Sequence, residues 1–158
     1  MIRITREADY GILLMTGLAQ AEGQPRSAAA LAQQRRLPLP MVSKILKALA
    51  RAGLLTSQRG VQGGYSLARP ATEISAADII GALEGPLAIT ECSTEIHDGC
   101  ARQEHCEVSN HWPRINQAIY TALQSISLEE MSHPDPPRPV RLHPPQRTMI
   151  GQPASRAA

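Results

Sequence analysis

Apolar side chains recur at every third or fourth position through the first twenty residues. They are Ile4, Ala8, Ile12, Met15 and Leu18. This spacing puts them on one side of an α-helix and predicts a helix over about residues 5–21. Glu7 and Asp9 stand near its start, where a secretion signal would carry basic residues. We therefore interpret the stretch as an amphipathic helix and not as a signal peptide.

Two shorter helical patterns follow a Gly/Pro break at residues 23–25. Ser27 is a suitable N-cap for a helix that runs to about residue 35. The Leu-Pro-Leu-Pro run at residues 37–40 excludes a helix and predicts a turn. A second helix is expected from Pro40 to about Ala52, with Pro at its start and Gly just beyond its end. Two short helices joined by a tight turn predict a helix-turn-helix, with an ordinary αα-hairpin as the alternative.

The helix predicted from Pro40 has two distinct faces. Val42, Ile45, Leu46 and Leu49 form an apolar stripe. The other side of the helix carries three cations together with a methionine and a serine, and these residues are Met41, Ser43, Lys44, Lys47 and Arg51. We expect the cations to contact DNA phosphates and Met41 and Ser43 to face base edges from the start of the helix.

A Gly-rich loop lies between two short strand patterns, at residues 54–58 and 65–69. The loop begins with Arg59 and contains Gly60, Gly63 and Gly64. An Arg on a thin β-hairpin suits a narrow minor groove, where the negative potential is greatest. A helix-turn-helix followed directly by such a wing is a specific order, and it predicts DNA binding.

The second half of the chain contains two further helical patterns around a loop. Ser75 caps a short helix that ends at Gly85 and Pro86. Residues 91–108 have no clear period and hold all three cysteines. A longer helix is predicted from about residue 110 to 126, with an apolar stripe formed by Trp112, Ile115, Ile119, Leu123 and Ile126. We expect this stripe to pair with a second copy of the chain, because operators usually have two half-sites.

Length and charge divide the 158 residues into three parts. Residues 1–70 carry ten Lys or Arg against three acids, a net +7, and form the predicted winged helix-turn-helix. Residues 71–132 carry two against ten, a net −8, and contain the cysteine loop and the dimerisation helix. Residues 133–158 are Pro-rich with a net +3, which predicts a disordered tail. The expected fold class is mainly α with a small β-wing, in which the basic part meets a polyanion.

The chain is expected to be soluble and cytoplasmic, because no apolar stretch approaches the roughly 20 residues that span a bilayer. Its thiols should then be reduced. Cys92, Cys100 and Cys106 are separated by seven and five residues, which is not a zinc spacing, and they fit an iron-sulfur cluster better. A sensor of zinc or of thiol oxidation remains open. A thiol enzyme using His97, His105 or His111 is disfavoured, because no oxyanion motif or nucleophile elbow accompanies them.

These motifs together resemble the Rrf-type family of small iron-sulfur winged-helix repressors that includes IscR, NsrR and RirA. The resemblance covers nearly all of residues 1–132 and rests on RITREADYGI, LPLPMVSKILKALARAGL, RGVQGGYSLARP, ISAADIIGALEGP and the three-cysteine loop. The phrases ADIIGALEGPLAITEC and NHWPRINQAI are most similar to the branch that regulates SUF iron-sulfur assembly genes. The resemblance implies a homodimer, a palindromic operator in double-stranded DNA, and a cluster held by the three cysteines.

The fourth cluster ligand is the point at which the chain departs from the family pattern. The IscR-like pattern has a His three residues after the third cysteine, and Ser109 stands there in this chain. The NsrR-like pattern uses an Asp near the start of the first helix of the other subunit, which implies Asp9. His111, five residues after Cys106, is the second candidate. Whether the cluster is 2Fe–2S or 4Fe–4S, and whether the apo or the cluster-bound form represses, stays open.

Overall fold

The computed structural model describes residues 3–60, 63–90, 106–108 and 111–133. Within these residues the chain is mostly helical, with one small antiparallel sheet, as the sequence predicts. The elements in order are α1 (Arg6–Ala19), α2 (Ala28–Arg35), α3 (Leu39–Arg51), β1 (Leu55–Gln58), β2 (Gly64–Leu67), a 3₁₀ turn (Ala71–Glu73), α4 (Ala76–Glu84), α5 (Trp112–Gln124) and α6 (Leu128–Ser132).

Local capping signals set the ends of the first three helices. The Thr5 side chain accepts from the Ala8 N–H at 3.2 Å, and the Ser27 side chain caps α2 in the same way. Helix α3 has no side-chain cap, because its N-cap residue is Pro38, and Pro40 in its first turn lacks the N–H that a cap would satisfy. Gly53, with φ of 75°, follows the end of α3. Ser27, Pro40 and Gly53 are the end signals used in the prediction, whereas the cap at Thr5 was not predicted.

The core lies where α1, α2, α3 and α4 meet. Each helix turns its apolar face inward, and burial of one large aliphatic side chain contributes about 1.5–3 kcal/mol. The largest fully buried side chains are Val42, Leu14, Met15, Leu31, Ile45, Leu46, Leu49, Ile74, Ile79 and Leu128. The apolar stripe predicted for α3 is therefore the part of that helix that faces the core.

Helix α6 was not predicted, although it contributes Leu128 to this core. It begins at Ser127, which forms a capping box with Glu130, and two hydrogen bonds from Ser127 lower the pKa of that carboxyl. Helix α4 begins at an equivalent box formed by Ser75 and Asp78. The two starts are joined by a short β-bridge, in which the Leu128 N–H donates to the Ile74 carbonyl at 2.7 Å.

Helix α5 differs from the others because none of its residues is fully buried. Ile115 and Ile126 of its predicted apolar stripe are each 43% exposed, while Trp112, Ile119 and Leu123 are half-buried. Among the residues described, no helix is long and apolar enough to cross a membrane. The predicted tail lies outside the described residues, apart from His133.

Candidate functional site

The cations of α3 form one exposed row on the side opposite the core. Lys44, Lys47 and Arg51 are three and four residues apart, so they follow one another along the same face. Val42, Ile45, Leu46 and Leu49 are buried beneath them. A straight row of cations on a rigid helix can contact successive phosphates of a nucleic-acid backbone.

Met41 and Ser43, at the start of α3, are both half-buried. Met41 packs partly against the core, so only part of its side chain is available to a ligand. Ser43 lies in the second turn of α3 and carries a hydroxyl group. A hydroxyl can donate to or accept from a base edge, whereas the exposed part of Met41 offers only apolar contact.

Lys44 has a partner that the sequence did not indicate. Its Nζ lies 2.5 Å from Oε1 of Glu7, in the first turn of α1. The two side chains are 69% and 40% exposed, so this is a surface ion pair with a small contribution to stability. Among the residues that the structure describes, Lys47 and Arg51 form no ion pair.

The predicted wing is a two-stranded antiparallel hairpin in which Leu55 pairs with Leu67 and Gln58 with Gly64. Arg59 follows β1 directly and is exposed. Gly60 has φ of 118°, a conformation that favours glycine, and its carbonyl accepts from the Gly63 N–H at 3.0 Å. The turn therefore holds Arg59 away from the core at the end of the hairpin.

The wing is also joined to the segment before α2, a contact that the sequence did not predict. Arg26 and Tyr65 exchange two backbone hydrogen bonds of 2.9 Å, which adds one residue pair to the sheet. A Cβ atom at Gly64 would lie 2.5 Å from the Arg26 carbonyl oxygen, so only glycine fits there. At the other end, Arg69 Nη2 lies 3.2 Å from Asp78 Oδ2 of α4. The wing base is thus held on both sides.

Lys47 offers the clearest test of the cationic row, because it has no competing ion pair. Its replacement by alanine should reduce the magnitude of the slope of log K against log salt concentration by about one and weaken binding to all sequences similarly. Fluorescence anisotropy with labelled duplexes at several salt concentrations measures this slope. Arg114→Ala, which removes an exposed cation from α5, should leave the slope unchanged. An unchanged slope for Lys47→Ala would place this side chain away from the phosphates.

Of the cysteine segment, residues 91–108, the structure describes only 106–108. Cys92 and Cys100 lie outside the described residues, as do His97 and His105. Cys106 is half-buried and precedes α5 by a short turn, in which the His111 N–H donates to the Val108 carbonyl at 3.0 Å. The end of the segment therefore lies next to the start of α5.

The chain just before the cysteine segment is held against the same helix by Asn116. Its Nδ2 donates to the Leu87 carbonyl at 2.7 Å, and its Oδ1 accepts from the Ile89 N–H at 3.3 Å. Asn116 lies about one turn into α5. The chain just before the cysteine segment thus bonds to the first part of α5, a contact that the sequence did not indicate, and the last residues of the segment lead into the same helix.

Both candidates for the fourth ligand, Asp9 and His111, lie in the part of the chain that the structure describes. Asp9 is exposed in α1, and His111 is exposed at the start of α5. Within the described residues, which omit Cys92 and Cys100, no three His, Cys, Asp or Glu side chains come together in a geometry for a metal ion. The identity of a cofactor is therefore argued from the chemistry of the donors, which are three thiols within fifteen residues.

A helix-turn-helix with a cationic second helix and a following wing defines a winged-helix DNA-binding regulator. This chain belongs to the Rrf2 family, described as iron-dependent transcriptional regulators, whose pattern matches residues 4–134. The prediction of a regulator rather than a thiol enzyme is therefore confirmed.

Individual relatives and solved structures match this chain at similar levels of sequence identity. The chain is 33% identical over 132 residues to the transcriptional regulator CymR of Bacillus subtilis, covering 83% of this chain and 90% of CymR. It is 29% identical over 131 residues to IscR of Xenorhabdus nematophila, covering 82% of this chain and 79% of that IscR. The solved structure of B. subtilis CymR has a TM-score of 0.64 at 32% identity, covering 84% of this chain and 97% of that one. The solved structure of T. potens IscR has a TM-score of 0.62 at 32% identity, covering 82% of this chain and 85% of that one.

Proposed function

We propose that this chain is a homodimeric repressor of iron-sulfur assembly genes, and that a cluster bound by Cys92, Cys100 and Cys106 sets its affinity for DNA. The observation that carries the proposal is that Asn116 of α5 bonds to the chain just before the cysteine segment, while Cys106, near the end of that segment, lies shortly before the start of the same helix. A cluster in this segment would lie next to the helix with the most exposed apolar face. Gain or loss of the cluster could then act directly on that helix.

The donor set supports a cluster in preference to a single zinc ion. Three thiolates would bind and electrically balance the irons, which is the usual chemistry of cysteine-ligated iron-sulfur centres. Asp9 of a second copy or His111 would supply the fourth ligand. Asp9 is exposed, as a ligand to a partner's cluster must be, and His111 is close to Cys106 in sequence. Both 2Fe–2S and 4Fe–4S clusters are compatible with these donors.

The exposed apolar side of α5 supports the homodimer. Ile115 and Ile126 lie on the stripe that also contains Ile119, and a stripe of this kind is usually covered by another helix. Pairing of α5 with α5 of a second copy would cover it. Two-fold symmetry would then present two α3 helices to a palindromic operator, with half-sites about one helical turn apart.

The proposed contacts with DNA are divided between the exposed side of α3 and the end of the wing. Lys44, Lys47 and Arg51 would contact phosphates, and Ser43 with the exposed part of Met41 would face base edges. Arg59 would reach into the minor groove beside each half-site. Phosphate contacts supply affinity and position, whereas the base and groove contacts supply sequence preference.

A second candidate function is a regulator that responds to zinc or to thiol oxidation without a cluster. The specific observation in its favour is the similarity to CymR, which is described as the global cysteine regulator of B. subtilis and has also been solved in an oxidised form from Staphylococcus aureus. The same three cysteines would then act as thiols in the cytoplasm.

One experiment separates the two candidates. The full-length chain is purified without oxygen, assayed for iron, sulfide and zinc, and used to select duplexes from a random pool before and after cluster removal. The cluster hypothesis predicts a brown protein with iron and sulfide, and an operator affinity that changes when the cluster is lost. Colourless protein that contains zinc or reversibly oxidised thiols would support the second candidate. A protein that selects no duplex in any state would contradict both.

A further inference from the structure

The ion pair between Glu7 and Lys44 places an acid beside one of the proposed phosphate contacts. Lys44 Nζ lies 2.5 Å from Glu7 Oε1, and Lys44 is the more exposed of the two side chains. The residues are 37 positions apart, so the pair depends on the packing of α1 against α3 and not on local sequence. Glu7 is one of only three acids among the first 70 residues.

Close packing of the two helices fixes the position of Glu7. Gly11 lies one turn after Glu7 on the same face of α1. A Cβ there would be in ordinary contact, at 3.7 Å, with Cγ2 of Ile45, the residue after Lys44, and would meet Cδ1 of Leu83 in α4. The Thr5 side chain caps α1 just before Glu7. The packing of α1 against α3 therefore places the Glu7 carboxylate within reach of Lys44.

We propose, on the basis of the DNA-binding function above, that Glu7 competes with DNA phosphates for Lys44. A carboxylate and a phosphate oxygen both accept charge-assisted hydrogen bonds from the same ammonium group. When DNA binds, Lys44 must leave Glu7 or share its charge between the two anions. The chain therefore draws less affinity from Lys44 than from Lys47, and Glu7 lowers DNA affinity without touching DNA.

The test is a double-mutant cycle on the full-length protein, with a selected palindromic duplex and a scrambled duplex as probes. Glu7→Gln should raise the affinity for both duplexes about two- to five-fold, the range expected for an exposed ion pair. It should also raise the magnitude of the salt slope by up to about one, because Lys44 then neutralises a phosphate fully. Both effects should disappear in the Lys44→Gln background, where the acid has nothing to compete for.

Other outcomes overturn the inference. A gain that persists in Lys44→Gln would mean that Glu7 repels DNA through its general field. A loss of affinity in Glu7→Gln would mean that the acid orients Lys44 for DNA and does not compete for it. Glu73→Gln removes one exposed negative charge from the 3₁₀ turn and should change neither quantity. Absence of DNA binding by the wild-type chain would overturn the proposed function as well, whereas additive effects in the cycle overturn only the role of Glu7.

Discussion

Replacement of Cys92, Cys100 or Cys106 by serine is expected to leave the purified protein with little or no iron or sulfide. Each thiolate is both a ligand and part of the negative charge that offsets the irons, so loss of any one should destabilise the whole cluster. The core of the described residues contains no residue from the cysteine segment, so the variants should still fold and keep their helical content. Iron and sulfide assays with circular dichroism measure the two quantities separately.

The two candidates for the fourth ligand provide the control for this experiment. Asp9→Ala and His111→Ala keep all three thiolates, so the cluster should still assemble in both. The variant that removes the true ligand should show a shifted absorption spectrum or faster loss in oxygen, while the other should match the wild type. Retention of wild-type iron and sulfide by all three cysteine variants would contradict the cluster hypothesis. Two silent variants would exclude only the fourth-ligand assignment.

Leu128→Ala is expected to destabilise the folded winged-helix unit by about 2–5 kcal/mol, the cost of removing a large aliphatic side chain from a packed core. Leu128 is completely buried, and its backbone N–H bonds to Ile74 beside α4. The residue stands far from the helix-turn-helix in sequence, so a large effect would show that the end of the described chain belongs to the same cooperative unit.

The matched control for Leu128 is its neighbour Glu129, which is exposed in the same helix. Glu129→Ala should change the free energy of unfolding by only about 0.5 kcal/mol. Urea denaturation followed by circular dichroism, at one fixed protein concentration, compares the two variants. Equal and small effects would place Leu128 outside the core.

Most helices could be predicted from sequence because their signals are local. Ser27, Pro40 and Gly53 act through the geometry of their own backbone and of the next few residues, so they mark helix ends wherever the chain packs. The alternation of apolar and polar positions in α3 likewise predicted which face is buried. Helix α6 was not predicted, because a helix of five residues is too short to show a helical period in its apolar positions. Ser127 and Glu130 nevertheless form a capping-box pattern in the sequence.

The contacts that shape the site could not be predicted, because they join residues far apart in the chain. Glu7 meets Lys44, Arg26 meets Tyr65, and Asn116 meets Leu87 only after the helices have packed. The cations of α3 could be recognised as a row from their spacing. That one of them is paired with an acid depends on the distance between two helix backbones, which no local pattern encodes.

The short connection between α5 and α6 limits how the two subunits of a dimer of this protein could move. Only a few residues separate the end of α5 from Leu128, and the bridge from Ser127 to Ser75 ties that junction to the start of α4. The C-terminal end of α5 is thus tied to the core of its own DNA-binding unit. In the proposed dimer, the spacing between the two DNA-binding units would change when one α5 helix slides along the other.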